Sequence, residues 1–215
     1  MNVGTNAARG EWQVRWLDYV PAAAFVTAMV LAWLIHSPAG GMASWGVSSA
    51  ALEQGRYETI PLHMFAHGSI LHLLLNSLGL LETGGLVTAR LGGFAKGWLR
   101  LLVVLAAGGL SSMIFFLSFH PAGSLPMIGA SGAIYALVGL LLGIRLIEEV
   151  EFAELRKLHH SLAEFVRSNV SFLVLLLAGA VLAGAAGGVA WEAHLGGFIM
   201  GFCIGPWLLP QTPER

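Results

Sequence analysis

Four polar residues within otherwise apolar segments have the types that acyl transfer needs: His72, Asn76, Ser131 and His194. A serine hydroxyl is a poor nucleophile until a base accepts its proton, and a histidine can be that base. Attack on a carbonyl then creates an oxyanion, which positioned N–H donors stabilise. The four residues therefore predict hydrolysis through Ser131 as nucleophile and His194 as general base and acid.

The oxyanion donors are predicted from spacing. His72 and Asn76 are four residues apart, so they share one face of a helix and can both supply side-chain N–H groups. Backbone N–H groups around Ser131, with Ala130 among them, are the second source of donors. We therefore expect His72, Asn76 and Ala130 to stabilise the oxyanion.

Three further residues are predicted to support the Ser–His pair. Gly129 and Gly132 flank the serine segment and allow backbone and substrate to approach it closely. Tyr135 follows Ser131 by four residues, lies on the same helix face and is expected to pack under the imidazole of His194. No acid is needed, and Glu82 is expected to lie too deep to pair with His194.

His63 and His67 precede His72 and are also four residues apart. We interpret both as structural polar residues that support the loop next to them. Because polar groups in a membrane are costly, histidines there are candidates for a function. Catalysis and transport are the two functions open to them.

The composition of the chain is typical of a membrane protein. The chain has 215 residues, of which 56% are hydrophobic and 11% charged, and its mean hydropathy is +0.75. An ordinary soluble domain carries about 25% charged residues. A net charge of -1 gives no support to a nucleic-acid partner. With Cys203 as the one cysteine, a disulfide within the chain is excluded, and we expect no metal site built from cysteines.

The apolar segments predict an all-α membrane protein, a bundle of six transmembrane helices in one domain covering residues 18–209. Each segment approaches the roughly 20 apolar residues that cross a bilayer. Residues 1–17 and 210–215 are expected to be short cytoplasmic segments. The predicted spans are 18–36, 62–86, 97–119, 127–147, 170–188 and 189–209.

Lysine and arginine predict the orientation, because they accumulate on the cytoplasmic side. Only Arg56 of the 11 lies on the opposite side from the rest. Both termini are therefore predicted to be cytoplasmic, and the four catalytic candidates fall in the outer half of the bilayer. The other ten are Arg9, Arg15, Arg90, Lys96, Arg100, Arg145, Arg156, Lys157, Arg167 and Arg215.

Glycines spaced by four residues predict close helix packing in lipid. The glycines form three such groups. A separate segment, "EEVEFAELRKLHHSLAEFVRSN", has apolar residues at helical spacing and is predicted to form an amphipathic helix on the cytoplasmic side. The groups are Gly139 and Gly143; Gly184 and Gly188; and Gly197, Gly201 and Gly205.

Several motifs together resemble the rhomboid family of intramembrane serine proteases. They are "HGSILHLLLN", "GGLVTARLGG", "GASGAIYALVG" and "AHLGGFIMG", in the family's order and spacing. The family's frequent Trp-Arg pair before the second span is replaced here by Glu58-Thr59.

The resemblance implies a six-helix bundle with a water-accessible cavity open to the outside and a Ser131–His194 dyad. It implies cleavage of transmembrane protein substrates near their outer ends through an acyl-enzyme, with lateral access beside span five. It also implies that the protein needs neither a cofactor nor a metal. The lipid bilayer is then the chain's surroundings, and the compact form suggests a bacterial inner membrane.

Two other functions remain open at this point. A non-catalytic rhomboid-like protein would bind membrane helices without cutting them, since a fold does not guarantee an activity. A small transporter or proton channel would use the intramembrane histidines as a path across the bilayer, although no internal repeat of the kind that many transporters carry is evident.

Overall fold

A computed structural model describes residues 14–39, 42–150 and 190–208. The regular elements in these ranges are helical, as predicted. The predicted fifth span, the glycines Gly184 and Gly188 and nearly all of the predicted amphipathic segment lie outside the described residues. The α-helices are α1 Val20–His36, α2 Ser49–Glu53, α3 Thr59–Leu62, α4 Ile70–Arg90, α5 Gly93–Phe119, α6 Ser131–Val150 and α7 Trp191–Leu208. Short 3-10 helices cover Trp16–Tyr19, Ser37–Ala39 and Ala43–Trp45.

Three of the described helical segments are long and apolar enough to cross a membrane: Trp16–His36, Ile70–Arg90 and Gly93–Phe119. They correspond to the first three predicted spans. Helix α6 contains a shorter apolar stretch, Ser131–Ile144, and α7 corresponds to the predicted sixth span. A helical membrane protein is thus confirmed.

Helix α4 begins later than its apolar pattern predicts. The predicted span starts at residue 62, whereas the helix starts at Ile70, because Ser69 takes an extended conformation and its hydroxyl accepts the N–H of His72 at 3.1 Å. A serine at this position satisfies one of the free N–H groups of the first helical turn. His63 and His67 consequently lie in the segment before the helix. That segment is apolar because it is buried; Ala66, for example, is 0% exposed.

The chain before α1 is attached to the start of α5 by a buried carboxylate. Asp18 is 1% exposed and accepts the backbone N–H groups of Arg15 at 2.9 Å and Phe94 at 2.8 Å. Gly93, with φ +68°, makes room for this contact, since a Cβ there would lie 2.7 Å from the guanidinium of Arg15. This clasp joins the first and third membrane helices at one end of the bundle.

Replacing Asp18 with alanine is expected to lower the free energy of unfolding by about 1–3 kcal/mol, because the N–H of Phe94 loses its acceptor. Unfolding in a mild detergent, followed by circular dichroism, measures the change. Asp18→Asn retains an acceptor oxygen and should lose less. Equal stability of wild type and Asp18→Ala would show that the clasp contributes nothing.

Helices α6 and α7 pack backbone to backbone through the predicted glycines. A Cβ on Gly139 would collide with the carbonyl of Phe198, and one on Gly201 with the carbonyl of Ala136. Gly143 and Gly205 make similar close approaches further along the pair. In lipid, such contacts let two helices approach without an intervening side chain. This packing fixes the register of α7 against α6.

The loop segments that connect the helices on the Ser131 side are joined by backbone hydrogen bonds. Val47 and Met127 pair in both directions, at 3.0 and 2.8 Å. The N–H of Ala50 donates to the carbonyl of Gly123 at 3.2 Å, and the hydroxyl of Ser49 donates to the carbonyl of His120 at 2.7 Å. The segment before α6 is therefore held by the long loop after α1.

Candidate active site

Ser131 and His194 meet at the starts of two adjacent helices. Ser131 is the first residue of α6, and His194 lies in the first turn of α7. The serine Oγ and the histidine Nε2 are 2.8 Å apart, and both residues are partly buried. This is the distance at which a hydroxyl can pass its proton to an imidazole. The structure thus brings together the two residues on which the predicted chemistry depends.

Tyr135 lies one helical turn after Ser131 and covers one face of the imidazole. Its ring stacks on that of His194 with a centroid distance of 4.3 Å and an interplanar angle of 9°. Nearly parallel stacking limits rotation of the imidazole out of its plane. The contact has the geometry predicted from the four-residue spacing.

The side chains of His72 and Asn76 lie beside Gly129. This glycine has φ +111°, and a Cβ on it would lie 2.6 Å from Nε2 of His72 and 3.3 Å from Nδ2 of Asn76. Asn76 is buried, and its amide nitrogen has no hydrogen-bond partner among the described residues. A buried amide donor without an acceptor is costly. An unpaired buried donor therefore lies beside Gly129, two residues before Ser131.

Backbone N–H groups at the start of α6 are a second source of donors. The carbonyl of Ala130 accepts the N–H of Ile134 at 3.0 Å, so the helical ladder starts at Ala130. The first N–H groups of a helix have no partner within it, and the helix dipole adds partial positive charge there. Ser131 thus stands where an anion is favoured.

His63 and His67 lie near the site, and among the described residues neither forms a hydrogen bond with Ser131 or His194. The carbonyl of His63 accepts the N–H of Gly129 at 2.8 Å, and its Nδ1 pairs with the carbonyl of Ile60 at 2.7 Å. His67 is fully buried, and its ring meets that of His72 edge-on at 5.0 Å. His63 thus contacts the segment before Ser131 through its carbonyl, and His67 contacts the ring of His72.

Gly132 and Ser112 lie next to each other in the fold. Of the two, only Gly132 was predicted from the sequence to be a site residue. A Cβ on Gly132 would collide with the hydroxyl of Ser112 and approach the carbonyl of Ala193 at 3.2 Å. Gly132 thus allows α5, α6 and α7 to meet directly behind the serine. Ser112 carries no sequence signal of its own, because a serine within an apolar helix usually bonds its own backbone, as here to Gly108 at 2.6 Å.

Two acids were considered as partners of the imidazole, Glu82 on α4 and Glu192 on α7. Glu192 is buried, and Glu82 lies on an exposed face of α4. Among the described residues, neither carboxylate is hydrogen-bonded to His194. The described contacts of the His194 ring are thus the hydrogen bond to Ser131 and the stacking with Tyr135.

A sequence model of the Rhomboid domain matches residues 54–211, well over half of the chain. The chain belongs to the rhomboid family. All the site residues discussed above, from His63 to His194, fall within this rhomboid match. The resemblance found in the motifs is confirmed, and so is the helical membrane fold that it implied.

The chain is also similar to uncharacterized proteins of mycobacteria. An uncharacterized protein of Mycobacterium tuberculosis and one of Mycobacterium bovis are each 29% identical to the chain over 181 residues. The aligned part is 80% of this chain and 61% of each relative. The chain therefore spans less than two thirds of the length of these relatives.

Proposed function

We propose that this chain is an intramembrane serine endopeptidase that cleaves transmembrane segments of other proteins near the outer face of the membrane. The observation that carries the proposal is the 2.8 Å contact between Oγ of Ser131 and Nε2 of His194 in a membrane protein of the rhomboid family. The buried free donor of Asn76 and the stacked Tyr135 support it.

Acylation begins when Nε2 of His194 takes the proton of the Ser131 hydroxyl. The oxygen attacks the peptide carbonyl, and the C–O bond forms as the carbonyl oxygen becomes an oxyanion. Collapse breaks the C–N bond, and the imidazolium gives its proton to the leaving amine. The stacked ring of Tyr135 limits rotation of the imidazole between these two transfers.

Deacylation repeats the sequence with water as the nucleophile. His194 takes a proton from the water, whose oxygen attacks the acyl carbon. The bond to Ser131 then breaks, and the imidazolium returns its proton to the serine oxygen. The polar residues at the starts of α4, α6 and α7 can admit this water from the outer side.

The oxyanion is held by the donors that surround Gly129. Nδ2 of Asn76 and a ring N–H of His72 supply side-chain hydrogen bonds, and the backbone near Ala130 and Ser131 supplies the others. Donors positioned before the reaction stabilise charge that develops in the transition state. Because Gly129 has no side chain, the carbonyl oxygen can reach them.

The proposed arrangement in the membrane has six spans and both termini in the cytoplasm. The site then opens outward, and a substrate helix reaches it laterally beside the fifth span. A bacterial inner membrane is the proposed location. The lysine and arginine asymmetry of the sequence supports this orientation.

Asn76→Ala is expected to lower kcat by about 10- to 1000-fold, since it removes one oxyanion donor among several. The KM should change little, because the hydrogen bond strengthens only in the transition state. Steady-state cleavage of a single-span substrate in detergent measures both constants. Ser77→Ala, one residue along the helix, serves as a control, because the Ser77 hydroxyl bonds only the carbonyl of Leu73. An unchanged kcat in Asn76→Ala would remove Asn76 from the mechanism.

Labelling of Ser131 by a fluorophosphonate probe tests the proposed nucleophile without knowledge of the substrate. The serine oxygen displaces fluoride, and mass spectrometry locates the adduct. Wild type should be labelled at Ser131, and His194→Ala should not. A non-catalytic helix-binding protein, the alternative function, would be labelled in neither.

A further inference from the structure

One face of α5 packs against α7, the helix that carries His194. Gly108, Ser111 and Phe115 are spaced by three and four residues, so they lie on the same side of α5. A Cβ on Gly108 would lie 3.4 Å from the terminal methyl group of Met200, and a Cβ on Gly196 would collide with the ring of Phe115. Helix α5 therefore meets α7 at Gly196 and again one turn later at Met200.

The hydroxyl of Ser111 bonds differently from those of its neighbours on α5. Ser112 and Ser118 each donate to the carbonyl four residues earlier in their own helix, which is the usual bond of a serine in an apolar helix. The hydroxyl of Ser111 instead donates to the carbonyl of Gly196 on α7, at 2.8 Å. A carbonyl oxygen has two lone pairs and can accept this bond as well as a helical one.

His194 lies between two contacts of α7 with α5. On one side, the exposed rings of Trp191 and Phe119 meet edge-on with a centroid distance of 5.4 Å. On the other side, buried Gly196 accepts the hydroxyl of Ser111, two residues or about 3 Å along the axis from His194. Exposed rings can slide past each other, whereas a hydrogen bond weakens when its angle changes. The Ser111 bond is therefore the directional contact next to the imidazole.

Helix α6 contacts α7 along a different line. A Cβ on Gly197, Gly201 or Gly205 would approach a backbone carbonyl of α6, and these glycines, four residues apart, share one face of α7. A helix that is held along one line can still rotate about that line. The bond from Ser111 to Gly196 lies on an adjacent face, about 100° around the helix, and so opposes this rotation.

We propose that Ser111 is a positioning residue for His194. Its bond to the carbonyl of Gly196 prevents rotation of α7 and thereby keeps Nε2 of His194 at hydrogen-bond distance from Oγ of Ser131. The inference rests on the proposed protease function. Ser111 acts through α7, so its loss should slow the chemical step and leave the binding of substrate unchanged.

The test measures the rate at which a fluorophosphonate probe labels Ser131, together with kcat and KM for a single-span substrate in mild detergent. Ser111→Ala should lower both the labelling rate and kcat by about tenfold, with KM unchanged, because a small displacement of a catalytic group slows the reaction strongly. Ser111→Thr keeps the hydroxyl and should keep most of the wild-type rate. Ser118→Ala, which removes a hydroxyl bonded within α5, is the matched control and should react like wild type.

The final labelled fraction separates positioning from a general loss of stability. In Ser111→Ala, we expect slow labelling that still reaches the wild-type fraction, since every folded molecule keeps Ser131 and His194. A reduced final fraction with an unchanged rate would show that Ser111 only stabilises the fold, and it would overturn the inference. So would a wild-type rate in Ser111→Ala, or a rate in Ser111→Thr as low as that in Ser111→Ala. If wild type is neither labelled at Ser131 nor active on any substrate, the proposed function fails, and this inference fails with it.

Discussion

Ser131→Ala is expected to abolish cleavage of a single-span substrate, lowering kcat/KM by about 10⁴-fold or more, because no other group can form the acyl-enzyme. The variant should remain folded, since alanine replaces a small, partly buried residue at the first position of α6. Purified wild type and variant, incubated in mild detergent with a substrate having small residues near its outer boundary, give the comparison.

The matched control is Ser118→Ala. Ser118 lies on α5, is exposed, and donates its hydroxyl to the carbonyl of Ile114 at 2.7 Å. Its replacement should leave the rate near that of wild type. Equal cleavage by wild type and Ser131→Ala would mean that another nucleophile or a contaminating protease acts, and the assignment of Ser131 would be wrong.

Gly201→Val is expected to remove activity by a different route. A side chain at this position collides with the carbonyl of Ala136, so α7 must move away from α6. Overpacking of this kind costs about 3 kcal/mol or more when backbone atoms are in contact. Because α7 carries His194, a displacement of about 1 Å should also lower kcat/KM by about 100-fold.

The midpoint temperature of thermal unfolding and the cleavage rate should therefore both be lower in Gly201→Val than in wild type. Cys203→Val introduces the same residue type on the exposed face of the same helix and should change neither property strongly. A stable but inactive Gly201→Val would indicate a small shift of α7, whereas a stable and fully active variant would contradict the packing described for α6 and α7.

The sequence predicted the residues of the site better than the helix ends around them. Ser131, His194 and Tyr135 could be chosen because polar groups are rare in apolar segments and spacing of four places residues on one helix face. The start of α4 was predicted eight residues too early, since the apolar residues before Ile70 are buried in a loop and resemble a span in composition.

Contacts made by the backbone could not be predicted from residue types. The bond from the N–H of Gly129 to the carbonyl of His63 and the pairing of Val47 with Met127 use groups that every residue has. The partner of Asp18 could not be predicted either, because Phe94 contributes only its backbone N–H to that hydrogen bond. Such contacts depend on tertiary structure, which brings distant segments together.

The pairing of Val47 with Met127 also bears on how rhomboid sequences can diverge. Because the main chain supplies these bonds, the side chains at both positions can be exchanged for others of similar size while the segment before Ser131 keeps its place. Gly129 has no such freedom, since its conformation and the nearby His72 exclude a side chain. Over long evolutionary times, we expect the two loops that carry Val47 and Met127 to change in sequence while the path of the chain toward the serine persists.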